Sequence, residues 1–100
     1  MRITLEQSGG FAGLTLRRTL DTTTLAPDEA AVVEALLAQA DLFGLPEAAP
    51  AQRRGFDMQR YRLTAEDGER SRTLHLHDGS VPDAVRPLLA FLGRLRPDAR

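Results

Sequence analysis

Tyr61-Arg62-Leu63-Thr64-Ala65-Glu66-Asp67-Gly68-Glu69, with Leu74-His75-Leu76-His77 after it, decides the fold of this chain. Tyr61, Leu63 and Ala65 fall at every second position, and so do Leu74 and Leu76. A period of two belongs to half-buried strands, with one side on a core and the other in water. Asp67-Gly68 between the two runs is a strong hairpin signal, because glycine reaches the backbone angles that a tight reversal needs.

The amino-terminal segment repeats the pattern. Ile3 and Leu5 alternate with Arg2, Thr4 and Glu6, and Leu14, Leu16 and Leu20 share one side of a second run. Arg18 intrudes on that apolar side and is expected either near a sheet edge or with its charged end extended into water. Between the runs, Gly9, Gly10 and Gly13 in Ser8–Gly13 permit tight reversals.

The period then changes. Over Asp28–Ala40 and Val85–Leu95 apolar residues recur every three or four positions, which predicts helices. Pro27 suits a first helical position, Ala26 falls at the N-cap, and Asp28 with Glu29 complements the positive helix end. Val32, Val33, Leu36, Leu37 and Ala40 form the expected buried stripe, continued by Leu42 and Phe43, with Gly44 as the stop. In the last helix Pro87 delays regular structure until after Arg86, and Leu88, Leu89, Phe91, Leu92 and Leu95 supply the apolar side.

The expectation is an α+β fold in the order β-β-α-β-β-α: a four-stranded antiparallel sheet with two helices packed on one face. Its other face would carry Thr15, Arg17, Arg62, Thr64, Thr73, His75 and His77 to solvent. Residues 1–100 read as one domain, with an irregular loop over 45–57 that holds Pro46, Pro50, Arg53, Arg54 and Gly55.

Composition narrows the function. The formal charge is −1, from 13 basic and 14 acidic side chains, without the basic surplus that nucleic-acid binding asks for. No apolar run reaches the length of a membrane span, and Met1–Glu6 leads into no hydrophobic signal segment, so no membrane partner and a cytoplasmic location are expected. Cysteine is absent, which removes disulfide and thiolate chemistry.

No catalytic cluster stands out. There is no HExxH motif, no phosphate-binding glycine–lysine loop and no nucleophile elbow, and nothing marks Asp57 or Glu66 as an acid or base beside a histidine. His75 and His77 project from one strand face, but a structural zinc site needs about four ligands, so they read as solvent-face residues. Arg53-Arg54 reads as a solvated loop pair. The glycines do not fit a dinucleotide fingerprint, since a strand rather than a helix follows them. Leu25 has two readings: a hydrophobic staple ahead of the helix with Ala30 as a weak partner, or an apolar side chain displayed by the Thr22–Ala26 loop. A chain of this kind works by presenting a surface. It reads as a non-enzyme without cofactor or metal, monomeric when free, and the residues alone leave open an interaction module or a small enzyme subunit.

A resemblance carries the reading further. Met1–Gly13, then Leu25-Ala26-Pro27-Asp28-Glu29-Ala30, Asp41-Leu42-Phe43-Gly44-Leu45-Pro46, Tyr61-Arg62-Leu63-Thr64 and Leu74–Gly79 resemble emfourin-like proteins, inhibitors of thermolysin-like metallopeptidases. The similarity spans nearly the whole chain. It implies a bacterial protein that binds a thermolysin-like zinc metallopeptidase and occludes its active-site cleft, the zinc belonging to the target. The matching loops implied at the interface contain Gly9, Gly10 and Phe11 in one, and Thr22, Thr23, Thr24, Leu25 and Ala26 in the other. Leu25 is the residue implied for an apolar pocket.

Overall fold

A computed structural model describes residues 1–8, 15–45, 60–77 and 81–98. Strands β1 (Arg2–Ser8) and β2 (Thr15–Asp21) are followed by a single 3₁₀ turn (Thr22–Thr24) and helix α1 (Pro27–Ala40). Strands β3 (Arg60–Asp67) and β4 (Arg70–His77) and helix α2 (Arg86–Gly93) complete the order expected from the sequence. Of the loop expected over 45–57, residues 46–57, with the Arg53-Arg54 pair, lie outside the described residues, as do Gly9, Gly10 and Gly13.

The four strands form one antiparallel sheet in the order β2-β1-β3-β4. The first strand is therefore central, joined to β3 with Ile3 opposite Ala65 and Leu5 opposite Leu63. Both neighbours of β1 run antiparallel to it, so the chain crosses from β2 to β3 by way of α1. The β3–β4 hairpin closes with Asp67 opposite Arg70, leaving Gly68 and Glu69 as a two-residue loop. Gly68 has φ +63°, the positive angle that a tight hairpin requires at its first loop position.

One apolar cluster joins the inward residues of all four strands to both helices. Ile3, Leu5, Leu20, Leu63, Ala65, Leu74 and Leu76 meet Val33 and Ala40 of α1, and Leu88 and Leu92 of α2. Both helices thus cover the same sheet face. The helix α1 starts beside the end of β2, while the turn after it reaches β4: the Arg70 guanidinium lies over the Phe43 ring, 4.4 Å from its centre, and Arg72 Nη1 donates to the Phe43 carbonyl at 3.1 Å. The helix therefore lies across the strands and not along them.

Two local expectations are corrected, for Val32 and Gly44, and the two alternatives for Arg18 are decided. Val32 is 54% exposed, because Val33, Leu37 and Ala40 turn toward the sheet and Val32 falls off the edge of that stripe. The end of α1 is set by Asp41, which takes the left-handed conformation (φ 49°) and donates its N–H to the Leu37 carbonyl. Gly44 comes after that cap, where a Cβ would run into the Asp41 carboxylate. Arg18 is only 9% exposed, although β2 is indeed an edge strand. Its Nε donates to the Leu95 carbonyl at 2.8 Å and its Nη1 to Gln7 Oε1 at 3.1 Å, so the guanidinium folds inward.

Both sheet edges are guarded. Along β2, the Asp98 N–H donates to the Arg17 carbonyl at 2.7 Å, while the Asp98 carboxylate accepts from Thr19 N–H and Oγ1 at 3.2 and 2.7 Å. At β4, Arg70 and Arg72 hold charge at the edge on the covered side. Unpaired edges invite strand addition, and covering segments or inward-pointing charges prevent it.

Leu88→Ala should lower unfolding free energy by about 2–5 kcal/mol, against a change within about 0.5 kcal/mol for Val32→Ala; urea denaturation measures both. Asp98→Ala removes both carboxylate bonds to Thr19 and uncovers the β2 edge. Sedimentation velocity should then show concentration-dependent association absent from the parent chain, and a monomer at every concentration would refute the guarding role.

Candidate functional site

The clearest pre-ordered projection follows β2. Asp21 terminates the strand in extended geometry and its Oδ1 accepts from Thr23 N–H at 3.0 Å and Thr23 Oγ1 at 2.7 Å. Thr24 Oγ1 donates to the Asp21 carbonyl at 2.8 Å. The Met1 amino group donates to Thr22 Oγ1 at 2.9 Å, and Thr22 N–H donates to the Met1 carbonyl at the same distance. Three successive threonines form a turn here because their hydroxyls bond back to the local chain, which suits Ser, Thr and Asp to such places.

The hydroxyls of Thr22, Thr23 and Thr24 are thereby used by the turn itself. Thr22 is half-buried, while Thr23 and Thr24 are exposed. Leu25 follows in extended conformation (φ −87°, ψ 152°), and Ala26 is the N-cap of α1 with no side-chain cap bond. Pro27 stands in the first turn, where its missing N–H costs nothing. Leu25 is half-buried and packs against the core cluster. It occupies the staple position while keeping part of its side chain in solvent. The segment is ordered and not wholly interior.

The two implied loops sit at opposite ends of β2. Gly9, Gly10 and Phe11 lie outside the described residues, but the paired ends that bracket them, Ser8 and Thr15, are at one end. The turn at Thr22–Thr24 is at the other. Six residue steps of about 3.3 Å separate Thr15 from Asp21, so roughly 20 Å lies between the ends.

The open face of the sheet is polar. Across it run Arg17, Glu6, Arg62 and His75 in one register row, and Thr19, Thr4, Thr64 and Thr73 in the next. Arg62 pairs with Glu6, and Thr64 Oγ1 lies 3.3 Å from Thr73 Oγ1. A shallow depression of about 460 Å³ lies over these rows. Among the described residues no group of three or more His, Cys, Asp or Glu side chains is placed to hold a metal ion, and no helix is long and apolar enough to cross a membrane.

The family model for emfourin matches residues 5–93. The chain belongs to the emfourin family. That span takes in β1 from Leu5 onward, the other three strands, the Thr22–Ala26 segment and both helices. Among solved structures, emfourin from Serratia proteamaculans, described as an M4 family peptidase inhibitor, is similar to this emfourin-family chain at 21% identity. The match has a TM-score of 0.48 and covers 98% of this chain and 90% of that one. No curated protein sequence matches.

Bonds accepted from the Thr23 hydroxyl and N–H, with smaller help from the positive amino terminus and Arg2, hold the Asp21 carboxyl below its usual 3.8. A depressed carboxyl stabilises the fold above the unfolded value and loses that contribution as pH falls through the folded one. The stability difference between the parent chain and Asp21→Asn should therefore be largest above about pH 4 and shrink as pH is lowered further. Chemical denaturation across an acid series measures it, and a difference independent of pH would contradict the assignment.

Proposed function

We propose that this protein is a proteinaceous inhibitor that binds a thermolysin-like zinc metallopeptidase and occludes its active-site cleft. Membership of the emfourin family over residues 5–93 is the observation that carries this reading. The similar solved structure is described as an M4 family peptidase inhibitor, which agrees with it.

Thr22–Ala26 is the segment offered to the cleft, with Leu25 as its apolar contact. Support comes from the order of the turn before any partner arrives: Asp21, Met1 and the start of α1 fix it from three sides. A segment fixed in advance loses less conformational freedom on docking than a flexible peptide. Leu25 is already half-buried, so completing its burial contributes less than the roughly 1.5–3 kcal/mol of a leucine moved fully out of water. The remaining affinity must come from the surrounding surface. Thr23, Thr24 and Ala26 supply exposed area on the same segment.

Occlusion of this kind requires no chemistry from the inhibitor, and the zinc remains the target's. If Gly9, Gly10 and Phe11 also touch the peptidase, the footprint must extend along the length of β2, because the two segments flank opposite ends of it. The protein acts as a monomer, in keeping with its guarded sheet edges.

Titration of a thermolysin-like peptidase with the purified protein should give stoichiometric loss of peptide hydrolysis. Leu25→Asp should raise the inhibition constant roughly tenfold or more in a chain that still folds, with the thermal unfolding midpoint lowered by the packing lost against the core. Full peptidase activity in the presence of excess protein would overturn the function. Unchanged inhibition by a folded Leu25→Asp variant would remove Leu25 from the interface.

A further inference from the structure

The outer edge of β2 is closed at a single point. Antiparallel pairing turns the backbone groups of alternate residues away from the neighbouring strand. The bonds of Asp98 identify those residues here: its N–H donates to the Arg17 carbonyl at 2.7 Å, and its Oδ1 accepts from the Thr19 N–H at 3.2 Å. Arg17, Thr19 and, by the same alternation, Asp21 therefore present their N–H and C=O outward. Among the described residues nothing bonds the Arg17 N–H, the Thr19 carbonyl or the Asp21 N–H from that side.

Asp98 imitates one residue of an added strand. The Arg17 C=O and the Thr19 N–H, on either side of Arg18, are the two groups that one residue of a parallel neighbour would meet. Asp98 meets them with its own N–H and with a carboxylate oxygen in place of a carbonyl. Pro97 has no N–H and cannot extend the pairing backwards. Arg96, Pro97 and Asp98 are all exposed. The tail is anchored one step earlier, where Leu95 packs on the core and its carbonyl accepts from Arg18 Nε at 2.8 Å. An incoming backbone can replace Asp98 bond for bond and leave that anchor in place.

We infer, resting on the inhibitor reading, that the outer edge of β2 over residues 17–21 receives an extended segment bordering the peptidase cleft, and that Asp98 is displaced as this segment docks. Two observations favour that occupant. The edge is continuous with the segment offered to the cleft, since Asp21 ends β2 and caps the Thr22–Thr24 turn. It also lies between that turn and the Ser8–Thr15 end, so a footprint reaching both runs along β2. A peptidase holds the chains it cuts in extended form through backbone bonds, and strand addition uses bonds of the same kind. Affinity then comes from main chain as well as side chain, and adds to what a half-buried Leu25 supplies.

Hydrogen exchange of the full-length, isotope-labelled protein, alone and with equimolar thermolysin, tests the displacement. In the free protein the Thr19 and Asp98 amides should be protected and the Asp21 amide should exchange quickly. In the complex Asp21 should slow by roughly tenfold or more, Thr19 should stay protected, and Asp98 should exchange as an unstructured tail does. Asp98→Ala should lower the inhibition constant by about threefold or more, because the partner no longer has to displace the carboxylate. That assay is run at nanomolar inhibitor to keep the uncovered edge from self-association, and the amide pattern elsewhere checks the fold. Inhibition with Asp21 still exchanging quickly and Asp98 still protected would overturn strand addition and leave the inhibitor function standing. A raised or unchanged inhibition constant for folded Asp98→Ala would do the same. Failure of the parent chain to inhibit would overturn both.

Discussion

The pairing of β1 with β3 is the constraint on which the rest depends. It joins two hairpins into one sheet and sets Ile3 and Leu5 in the middle of it, at most 1% exposed. Leu63 and Ala65 stand opposite them at the same burial. A slip of β3 by one residue against β1 would send Leu63 and Ala65 to the water side while Ile3 and Leu5 stay inward. It would also move Glu6 away from Arg62, so the open face reinforces the register chosen by the core. Because the partners are far apart in sequence, this pairing must overcome loop closure that the two hairpins avoid.

Once that register is fixed, the ends of the sheet follow. The helix α1 lies over the end that carries Met1, Asp21 and Arg70, and α2 lies toward the Arg18 end. This division explains how the 3₁₀ turn is fixed: it is held by a strand end, the amino terminus and a long helix.

Much of this was readable from residue order. Alternation at Ile3, Leu5, Leu63, Leu74 and Leu76 identified the inward face of the sheet, and Ala26-Pro27 marked the start of α1. Val32 was misread because α1 is rich in alanine, and alanine at 31, 35 and 38 does little to distinguish a buried side from an exposed one. For Arg18 the residues left two placements open, a sheet edge or a charged end in water, and the first is the one found. A charged residue at an edge is ordinarily solvated, and the acceptors that draw it inward, Leu95 and Gln7, are brought beside it only by tertiary structure. The Thr22–Ala26 segment was legible as a candidate from its resemblance to a family. Its internal bonding was not, because the contribution of Met1 arises only when β1 and β2 pair.

The cap of α1 holds an unused margin of stability. Asp41 adopts a left-handed backbone angle that costs an ordinary L-residue about 1 kcal/mol or more, and it brings negative charge to the negative end of the helix dipole. Arg70 and Arg72, arriving beside Phe43, supply compensating positive charge to the same corner. Replacing Asp41 with asparagine or glycine would ease the angle or the charge without touching the Leu25 segment. Thermal endurance can therefore be altered at one corner of this fold while the segment proposed for the peptidase is kept.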